Sequence, residues 1–494
     1  MSCFIKKINW KSIIIWLFPT LFLIDDILGF NGYQFTIGGK SIRIILFCLT
    51  TAILFSYCLW VVLKKKITIF KRKPEKEFLF DYIKPLDYMV LAFVFFNLIW
   101  ATVVPLMVRG NITFALKDFS TILVLILYFP IVFLMRVGLL EYKKLEKAIY
   151  ILLILLAGWH TVMYVGETIS PGFYESYYDF IDIISFGTAV RSDVVIGYGI
   201  TRIIQVTSPL LLLGGILSAK YVANRKYWNL LPLVLFCFAI CVTYTKSIWF
   251  GFVFGVAIYL IGNLFLSSGK KEKLHIAAVI AFIVSIIISL NYFAFNNTIF
   301  QRVLNSAPTT SSDGTRKEVQ DLYERLKELQ ALGDSDEYRE EIEKILAEIK
   351  AKENAIKDIE GTILSNELRS RQMKALFNKW EQSKWVGFGY GAYVEDCIRN
   401  SSAPYMYESL LPAMIMKLGI VGFIPWFALI TFAIIAGVLR YWKKDKKNLL
   451  WWIGASVAFG LAIQTNPFLF TFAGFSMVLF ILIFVNSNLS TKNN

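Results

Sequence analysis

The sequence is poor in the residues that build metal and redox centres. Two histidines, His160 and His275, are spread over 494 residues, and the six cysteines form no cluster with them. Zinc sites require three or four such side chains at short spacing, so we expect no metal and no cofactor. Four cysteines fall in hydrophobic runs and Cys3 stands near the start of the chain. Only Cys397 lies in a long connection, which leaves it without an intramolecular disulfide partner there.

Charged residues are also scarce, at 18% of the chain, whereas hydrophobic residues make up 56% and aromatic residues 16%. Runs of roughly 20 apolar residues recur, and each is long enough to cross a hydrocarbon core about 30 Å thick. Lipid cannot satisfy backbone polar groups, so such runs are predicted to be helices. The sequence therefore predicts an all-α polytopic membrane protein. We place twelve spans at about 11–29, 41–63, 87–108, 117–136, 148–166, 203–219, 228–244, 247–266, 275–295, 410–439, 449–464 and 467–486.

The distribution of the net charge of +15 argues against nucleic-acid binding. Lysines and arginines crowd every second connection, whereas the intervening connections are not basic. This pattern is typical of loops kept in the cytoplasm, and it predicts that both termini are cytoplasmic. The first run has no small-residue cleavage site after it, so it is predicted to be an anchor. The five basic connections are 64–73, 136–147, 220–226, 270–273 and 440–447.

Two external connections are long enough to be functional. Residues 1–295 are predicted to form nine spans, with an external loop at 167–202; residues 296–409 form a large external loop; and residues 410–494 form three spans and a cytoplasmic tail. Within the large loop, residues 313–360 are rich in Glu, Lys, Leu, Ile and Ala, with apolar positions at helical spacing. This predicts a charged helical hairpin, either a native spacer or an engineered rigid module, to which we assign no chemistry.

Several cations lie on the predicted external side, where the orientation bias makes them unexpected. A charge near the bilayer costs a few kcal/mol, so each needs a partner. Carboxylates of the same loops are one kind of partner. A phosphate-rich ligand is the other, since a guanidinium group binds phosphate oxygens in bidentate fashion. The candidate phosphate-binding residues are Arg191, Arg202, Lys246, Arg302, Arg369 and Arg371.

Glu408 stands just before the tenth span, in Pro404-Tyr405-Met406-Tyr407-Glu408-Ser409. A carboxylate there is either a general base that accepts a proton from a hydroxyl or a solvated group at the membrane rim. The glycine turn at 387–391 lacks the preceding strand of a nucleotide-binding loop. We expect its glycines to let the chain turn tightly before it re-enters the membrane.

An aromatic and acidic segment at 173–180 lies in the first external loop. Rings flanked by carboxylates match the apolar faces and hydroxyls of sugars, which makes this segment a candidate sugar-binding site. The alternative is an interfacial helix with tyrosines at headgroup level. The candidate sugar-binding residues are Tyr174, Tyr177, Tyr178 and Asp179.

The order and spacing of these features resemble the bacterial O-antigen polymerase/ligase family of membrane glycosyltransferases. The resemblance covers about residues 195–440. Ligases of this family usually carry histidine where Glu408 stands and often arginine where Lys246 stands, so the glutamate is more similar to the polysaccharide polymerases. The matching pieces are Arg202 opening a span with Ser208-Pro209 after it, Thr245-Lys246-Ser247, Arg369 through Ala375-Leu376, Gly387-Phe388-Gly389, and Glu408 eleven residues before Gly419-Ile420-Val421-Gly422.

The resemblance implies a GT-C-like helical architecture in the bacterial cytoplasmic membrane, with an active site that faces the periplasm. It implies a glycan donor on undecaprenyl pyrophosphate and, as acceptor, another lipid-linked repeat unit, so that the product is a surface polysaccharide such as O-antigen, capsule or exopolysaccharide. The cations would hold the pyrophosphate and Glu408 would deprotonate the acceptor hydroxyl, for inverting transfer without a metal. Membrane lipid and a chain-length regulator are the further candidate partners.

Two other functions compete with the polymerase. A ligase would share the donor chemistry and would transfer the glycan to a different acceptor. A flippase or other transporter of lipid-linked sugars should show repeat symmetry between its halves and charges near the bilayer midplane. The two halves of the sequence do not match, and the unusual cations gather on one predicted face, so the sequence favours a glycosyltransferase over a transporter and leaves polymerase and ligase poorly separated.

Overall fold

Helices dominate the protein, and the strands of the described part are limited to two short antiparallel hairpins. The coarse prediction of a helical, membrane-embedded chain is confirmed, since seven helices among the described residues are long and apolar enough to cross a bilayer. They are Ile45–Lys64, Pro85–Met107, Ile112–Arg136, Tyr142–Ile169, Lys246–Leu266, Lys270–Ala294 and Leu410–Tyr441. The count of twelve spans stays a prediction. The computed structural model describes residues 16, 36–37, 40–68, 77–184, 194–197, 200–204, 207–295, 297, 299–300, 303, 312–331, 336–398, 403–442, 445–464 and 467–486.

The elements follow the apolar runs closely in the part of the chain before residue 300. Strands β1 (Thr36–Ile37) and β2 (Lys40–Ser41) form the first hairpin, and β3 (Val194–Gly197) and β4 (Ile200–Ile203) form the second. The helices are α1 (Ile42–Lys64), α2 (Pro85–Met107), α3 (Ile112–Ser120), α4 (Tyr128–Arg136), α5 (Tyr142–Ile169), α6 (Phe173–Ile184), α7 (Leu210–Ala223), α8 (Leu230–Val242), α9 (Lys246–Leu266) and α10 (Lys270–Ser289).

Further helices follow in the second part of the described chain. They are α11 (Ser312–Ala331), α12 (Asp336–Glu381), α13 (Leu410–Tyr441), α14 (Lys446–Ala462) and α15 (Phe472–Asn486). Of the first predicted span, 11–29, the structure describes residue 16 alone, so that span lies almost wholly outside the described residues.

Two predicted spans differ from simple helices. The span predicted at 203–219 begins in strand β4, and its helix starts only at Leu210 and extends to Ala223. The span predicted at 117–136 consists of α3 and α4, joined by the 3-10 turn Thr121–Leu127. A hydrophobic run predicts burial but does not fix the backbone geometry. Strand β4 satisfies its backbone by pairing with β3, and the 3-10 turn forms its hydrogen bonds within its own segment.

Helix α7 lies at the centre of the bundle, where Leu211, Leu212 and Leu213 are fully buried. Beside it, α9 and α14 are in backbone contact through small residues. A Cβ on Gly454 would lie 2.5 Å from the Gly255 carbonyl oxygen, so no larger residue fits at that crossing. Small residues that let two helices approach this closely are typical of helix pairs inside membranes.

The charged segment folds as the predicted antiparallel hairpin of α11 against α12. Val319, Leu326, Ile345 and Ile349 form a separate apolar cluster between the two arms. Helix α12 does not stop near residue 360 but continues to Glu381. At 1.5 Å per residue its 46 residues span about 70 Å. The second arm of the hairpin is therefore the first part of α12, the same helix that carries Arg369 and Arg371.

Candidate functional site

An ion pair joins the two residues that the sequence places on either side of the glycine turn. Arg369, on α12, donates its Nε to the Glu408 carboxylate across 2.8 Å. The arginine side chain is 37% exposed and the glutamate side chain 24% exposed, so the pair is reachable from solvent. The predicted proximity of a cation and the candidate base is therefore present in the structure.

The last turns of α12 are fixed against the start of α13. The backbone amide of Ser409 donates to Gln372 Oε1 at 3.4 Å, and Gln372 is buried. Leu376 and Met416 are fully buried in the apolar cluster between these two helices. Because Arg369 lies one turn before Gln372, this packing places its guanidinium beside Glu408.

Tyr407, the residue before Glu408, belongs to the apolar cluster between α12 and α13. Its hydroxyl accepts a hydrogen bond from the Val394 amide at 2.7 Å, and its ring is 2% exposed. Burial raises the pKa of Tyr407 well above its ordinary value, so the hydroxyl stays protonated at neutral pH. Burial also raises the pKa of the nearby Cys397 thiol, with a smaller effect from Asp396, so this cysteine has little thiolate character.

The glycine turn crosses α13 at a break in that helix. Gly419 has φ 60° and ψ −173°, which is not helical, and Gly387 has φ 73°. A Cβ on Gly387 would lie 2.5 Å from the Gly419 amide nitrogen, and a Cβ on Gly419 would lie 2.5 Å from the Gly387 nitrogen. Both positions require glycine, because the left-handed backbone and the direct backbone contact exclude a side chain.

Hydrogen bonds between the glycine turn and α13 replace the helical hydrogen bonds that are lost at the Gly419 break. The indole of Trp100, on α2, donates to the carbonyl oxygens of both Val386 and Leu418 at 2.9 Å. The prediction of a tight re-entry turn understated its role, because the turn also satisfies the polar groups of a broken helix inside the bundle. The backbone bonds are Phe388 to Met416 at 3.1 Å, Gly389 to Lys417 at 2.8 Å, Ile420 to Lys384 at 3.0 Å and Val421 to Trp385 at 2.9 Å.

A buried ion pair that the sequence reasoning missed lies beside this crossing. Lys417 Nζ donates to Asp118 Oδ2 at 2.6 Å, and the two side chains are 2% and 1% exposed. The Gly391 amide donates to the same oxygen at 2.9 Å. The ammonium group also lies 4.8 Å from the centroid of the Phe470 ring and 5.5 Å from that of Tyr405. The glycine turn is thereby attached to α3 as well as to α13.

A sequence signal for this pair existed. Asp118 falls inside the predicted span 117–136 and Lys417 inside the predicted span 410–439. An ionisable residue within an apolar span is a functional-site hypothesis in its own right, because its burial is costly unless a partner offsets it. Both residues are missed when only cations on the predicted external side are counted as candidates.

A second group of predicted residues surrounds strand β4. Arg202 donates Nε to the Thr243 carbonyl oxygen at 3.0 Å and a terminal nitrogen to Thr245 Oγ1 at 3.1 Å. Lys246 follows directly as the first residue of α9. The structure thus brings Arg202 to the predicted Thr-Lys-Ser turn. Convergence of this group with Arg369 and Glu408 on one chamber stays a prediction.

The other predicted cations are not shown beside either group of residues in the described part of the chain. Arg371 lies two residues from Arg369 on α12, and residues at that spacing face different sides of a helix. Its side chain is 76% exposed and lies 4.0 Å from the Glu367 carboxylate. Arg191 and Arg302 lie outside the described residues.

The aromatic segment forms helix α6, packed on the end of α5. Glu167 accepts hydrogen bonds from the Tyr174 amide at 2.8 Å and the Gly172 amide at 3.0 Å, which satisfies the first turn of α6. Tyr174 is 6% exposed, and the Tyr177 ring lies 5.1 Å from the ring of Trp159.

Half of the described side chains of α6 are exposed, namely those of Glu175, Ser176 and Asp179. Tyr177 is half-buried, whereas the side chain of Tyr178 lies outside the described ones. Tyr174 is buried within the protein, and both the sugar-binding role and the interfacial-helix alternative for the segment stay predictions. In the part of the chain that the structure describes, no group of three or more His, Cys, Asp or Glu side chains is arranged to hold a metal ion.

Comparison of the chain with protein-family models, with curated proteins and with solved structures gives no match. The function is therefore inferred from the chemistry of the site itself.

Proposed function

We propose that the protein is a membrane glycosyltransferase that polymerises undecaprenyl-pyrophosphate-linked oligosaccharide repeat units into a surface polysaccharide. The observation that carries the proposal is the solvent-accessible ion pair between Arg369 and Glu408, which lies at one end of α13, just before the chain enters the bundle. The pair places a cation that can bind a phosphate in direct contact with a carboxylate that can accept a proton.

The pair matches the two requirements of the transfer reaction. The described residues give Arg369 no ion pair or hydrogen bond other than that of its Nε with Glu408, which leaves its terminal nitrogens to bind phosphate oxygens. The carboxylate of Glu408 can accept a proton from a hydroxyl placed beside it. Entry of the donor pyrophosphate beside Arg369 would separate the pair and direct the carboxylate towards the acceptor.

The proposed step is an inverting substitution. The acceptor hydroxyl gives its proton to Glu408 while its oxygen forms a bond with the anomeric carbon of the donor glycan. The bond from that carbon to the pyrophosphate oxygen breaks, and undecaprenyl pyrophosphate leaves with the electron pair. Arg369 stabilises the charge that develops on the leaving group, which is the role that fixed cations serve in such transition states. Arg202, Lys246 and the other predicted cations would extend this phosphate site.

The location of the reaction follows from the charge pattern. The connections at the other end of the bundle carry the lysine excess, so the Arg369–Glu408 end is assigned to the periplasm and both termini to the cytoplasm. We propose a multi-pass location in the bacterial cytoplasmic membrane, with twelve spans and a GT-C-like architecture. The donor and acceptor are both lipid-linked glycans, and a chain-length regulator is a candidate protein partner.

The test is a product assay with the purified protein in nanodiscs and synthetic lipid-linked repeat units. Wild-type protein should give a ladder of longer lipid-linked glycans on a gel. Glu408→Gln should lower the rate by about 100-fold or more, since a positioned general base typically contributes about 10²–10⁴-fold. Arg369→Ala should abolish the ladder in the same way, because the leaving group loses its cation.

Matched controls separate chemistry from folding. Glu367→Gln removes a carboxylate two residues from Arg369, and Arg325→Ala removes an exposed arginine from the hairpin, so both should keep the ladder. A charge swap, Arg369→Glu with Glu408→Arg, can restore the ion pair and the fold but not the reaction. Full activity of the swapped protein or of Glu408→Gln would remove the base assignment.

A transporter of lipid-linked sugars is the second candidate. The break in α13 at Gly419 and the buried pair of Lys417 and Asp118 favour it, because transporters place charges at discontinuous helices inside the membrane. The same preparation in sealed vesicles distinguishes the two. Single repeats that cross the bilayer without elongation would support transport, and one transfer to a different acceptor would support a ligase.

A further inference from the structure

A cavity of about 820 Å³ lies at the opposite end of the bundle from the Arg369–Glu408 pair. Helix α13 crosses the bundle between the two sites. Glu408 lies just before its first residue, and Asp445, which lines the cavity, lies shortly after its last. Its walls come from the first half of α5, the end of α7, the turn before α8 and the start of α14. Nothing in the proposed transfer reaction uses this space.

The cavity is rich in positive charge. Lysines 143, 147, 220, 226 and 447 line it, against the acidic residues Glu146 and Asp445. At its floor Lys220 is neutralised by the buried Glu146 at 3.1 Å. Lys447 forms an ion pair with Glu272 at 2.5 Å. Three cations therefore remain without an acidic partner among the described residues.

The Glu146 carboxylate at the floor of the cavity is neutralised by its neighbours and therefore does not repel a bound anion. Tyr142 and Tyr221 donate their hydroxyls to Glu146 at 2.6 and 2.7 Å, in addition to the contact from Lys220. Its carboxylate oxygens are thus fully occupied by donors. Lys226 lies 5.0 Å from the centroid of the Tyr221 ring, which keeps its ammonium group at the cavity.

The lining changes from basic to apolar along one helix. On α5, Lys143 and Lys147 are followed on the same face by Ile151 and Ile154, all of which line the cavity. Eleven residues at 1.5 Å each separate the first from the last by about 16 Å. A ligand that fills this length has a negative group at one end and a hydrocarbon segment at the other.

We propose that this cavity binds an anionic phospholipid. Lys143, Lys147 and Lys226 contact its phosphate headgroup, and Ile151 and Ile154 contact the first part of an acyl chain. Free phosphate shares the headgroup chemistry but would leave the apolar wall uncovered. Basic pockets between membrane helices are suited to lipid headgroups because the charge attraction and the apolar contact add. The inference is independent of the glycosyl-transfer proposal, since the two sites lie at opposite ends of the bundle.

The test measures lipid retained by the purified protein. Protein is extracted from nanodiscs of equal parts phosphatidylglycerol and phosphatidylcholine, and the retained lipid is counted by native mass spectrometry. Wild type should retain phosphatidylglycerol in preference. The variant with Lys143→Gln and Lys147→Gln should bind it about 30-fold more weakly, since each lysine near a headgroup is worth about fivefold. Inorganic phosphate is added in a second arm.

The control is the variant with Lys270→Gln and Lys271→Gln. It removes the same charge from exposed positions outside the cavity, in another connection of the basic set, and should bind like wild type. Equal losses in the two double variants would reduce the effect to general surface attraction and overturn the site. Absence of a preference for phosphatidylglycerol in wild type would do the same. If inorganic phosphate displaces the lipid at a concentration equal to that of the lipid headgroups, the cavity binds the free anion and the phospholipid proposal is wrong.

Discussion

Removal of one partner of the buried pair between Lys417 and Asp118 should be far more costly than removal of both. The two side chains are 2% and 1% exposed, so an unpaired charge left at this position has no water to solvate it. Breaking a buried pair from one side typically costs about 3–5 kcal/mol in the free energy of unfolding. We expect Lys417→Met to fall in that range, because the Gly391 amide is then the one donor that the described residues offer to the remaining carboxylate.

The other single variant and the double variant complete the cycle. Asp118→Asn should cost about 3 kcal/mol, at the lower end of the range, because the rings of Phe470 and Tyr405 still face the ammonium group. With both changes, the carboxamide introduced at position 118 still accepts from the Gly391 amide, and the thioether side chain introduced at position 417 fills the volume of the lysine stem. The double variant should therefore lose less than about 1.5 kcal/mol.

Reversible unfolding in mixed micelles, with increasing SDS and tryptophan fluorescence as the signal, measures all four free energies. The two single changes should sum to about 6 kcal/mol or more, so the coupling between them should exceed about 4 kcal/mol. Additivity within about 0.5 kcal/mol would contradict a stabilising buried ion pair, since it would mean that the two charges do not interact.

Two further predictions concern the glycine crossing and the hairpin. Gly419→Ala should destabilise the protein by about 3 kcal/mol or more, because its φ of 60° and the 2.5 Å approach to Gly387 both exclude a Cβ. Gly460→Ala, with nothing within 4 Å of its Cβ, is the matched control and should stabilise the protein by up to about 1 kcal/mol in the same unfolding assay. Replacement of residues 313–360 by a short Gly/Ser linker should leave the product ladder and the unfolding of the bundle unchanged, since the apolar cluster of the hairpin closes on itself. Complete loss of activity would contradict an inert hairpin.

The proximity of Arg369 and Glu408 could be anticipated because only 39 residues separate them, and the intervening chain includes a predicted turn. By contrast, 299 residues separate Lys417 from Asp118, and 286 separate Trp100 from Val386. A sequence read along its length shows that a buried lysine needs a partner, but it does not show which of the distant carboxylates the packing brings to it.

The helical, membrane-embedded class, the basic connections and the charged hairpin can be predicted from the sequence alone. These are local properties, because a helix closes its hydrogen bonds within four residues and a span is recognised by the length of one apolar run. The break at Gly419, the buried ion pair beside it and the cavity among α5, α7 and α14 arise only from the packing of the folded chain. Each of these depends on which helix surfaces meet, and that is set by the shapes of side chains on elements far apart in the chain.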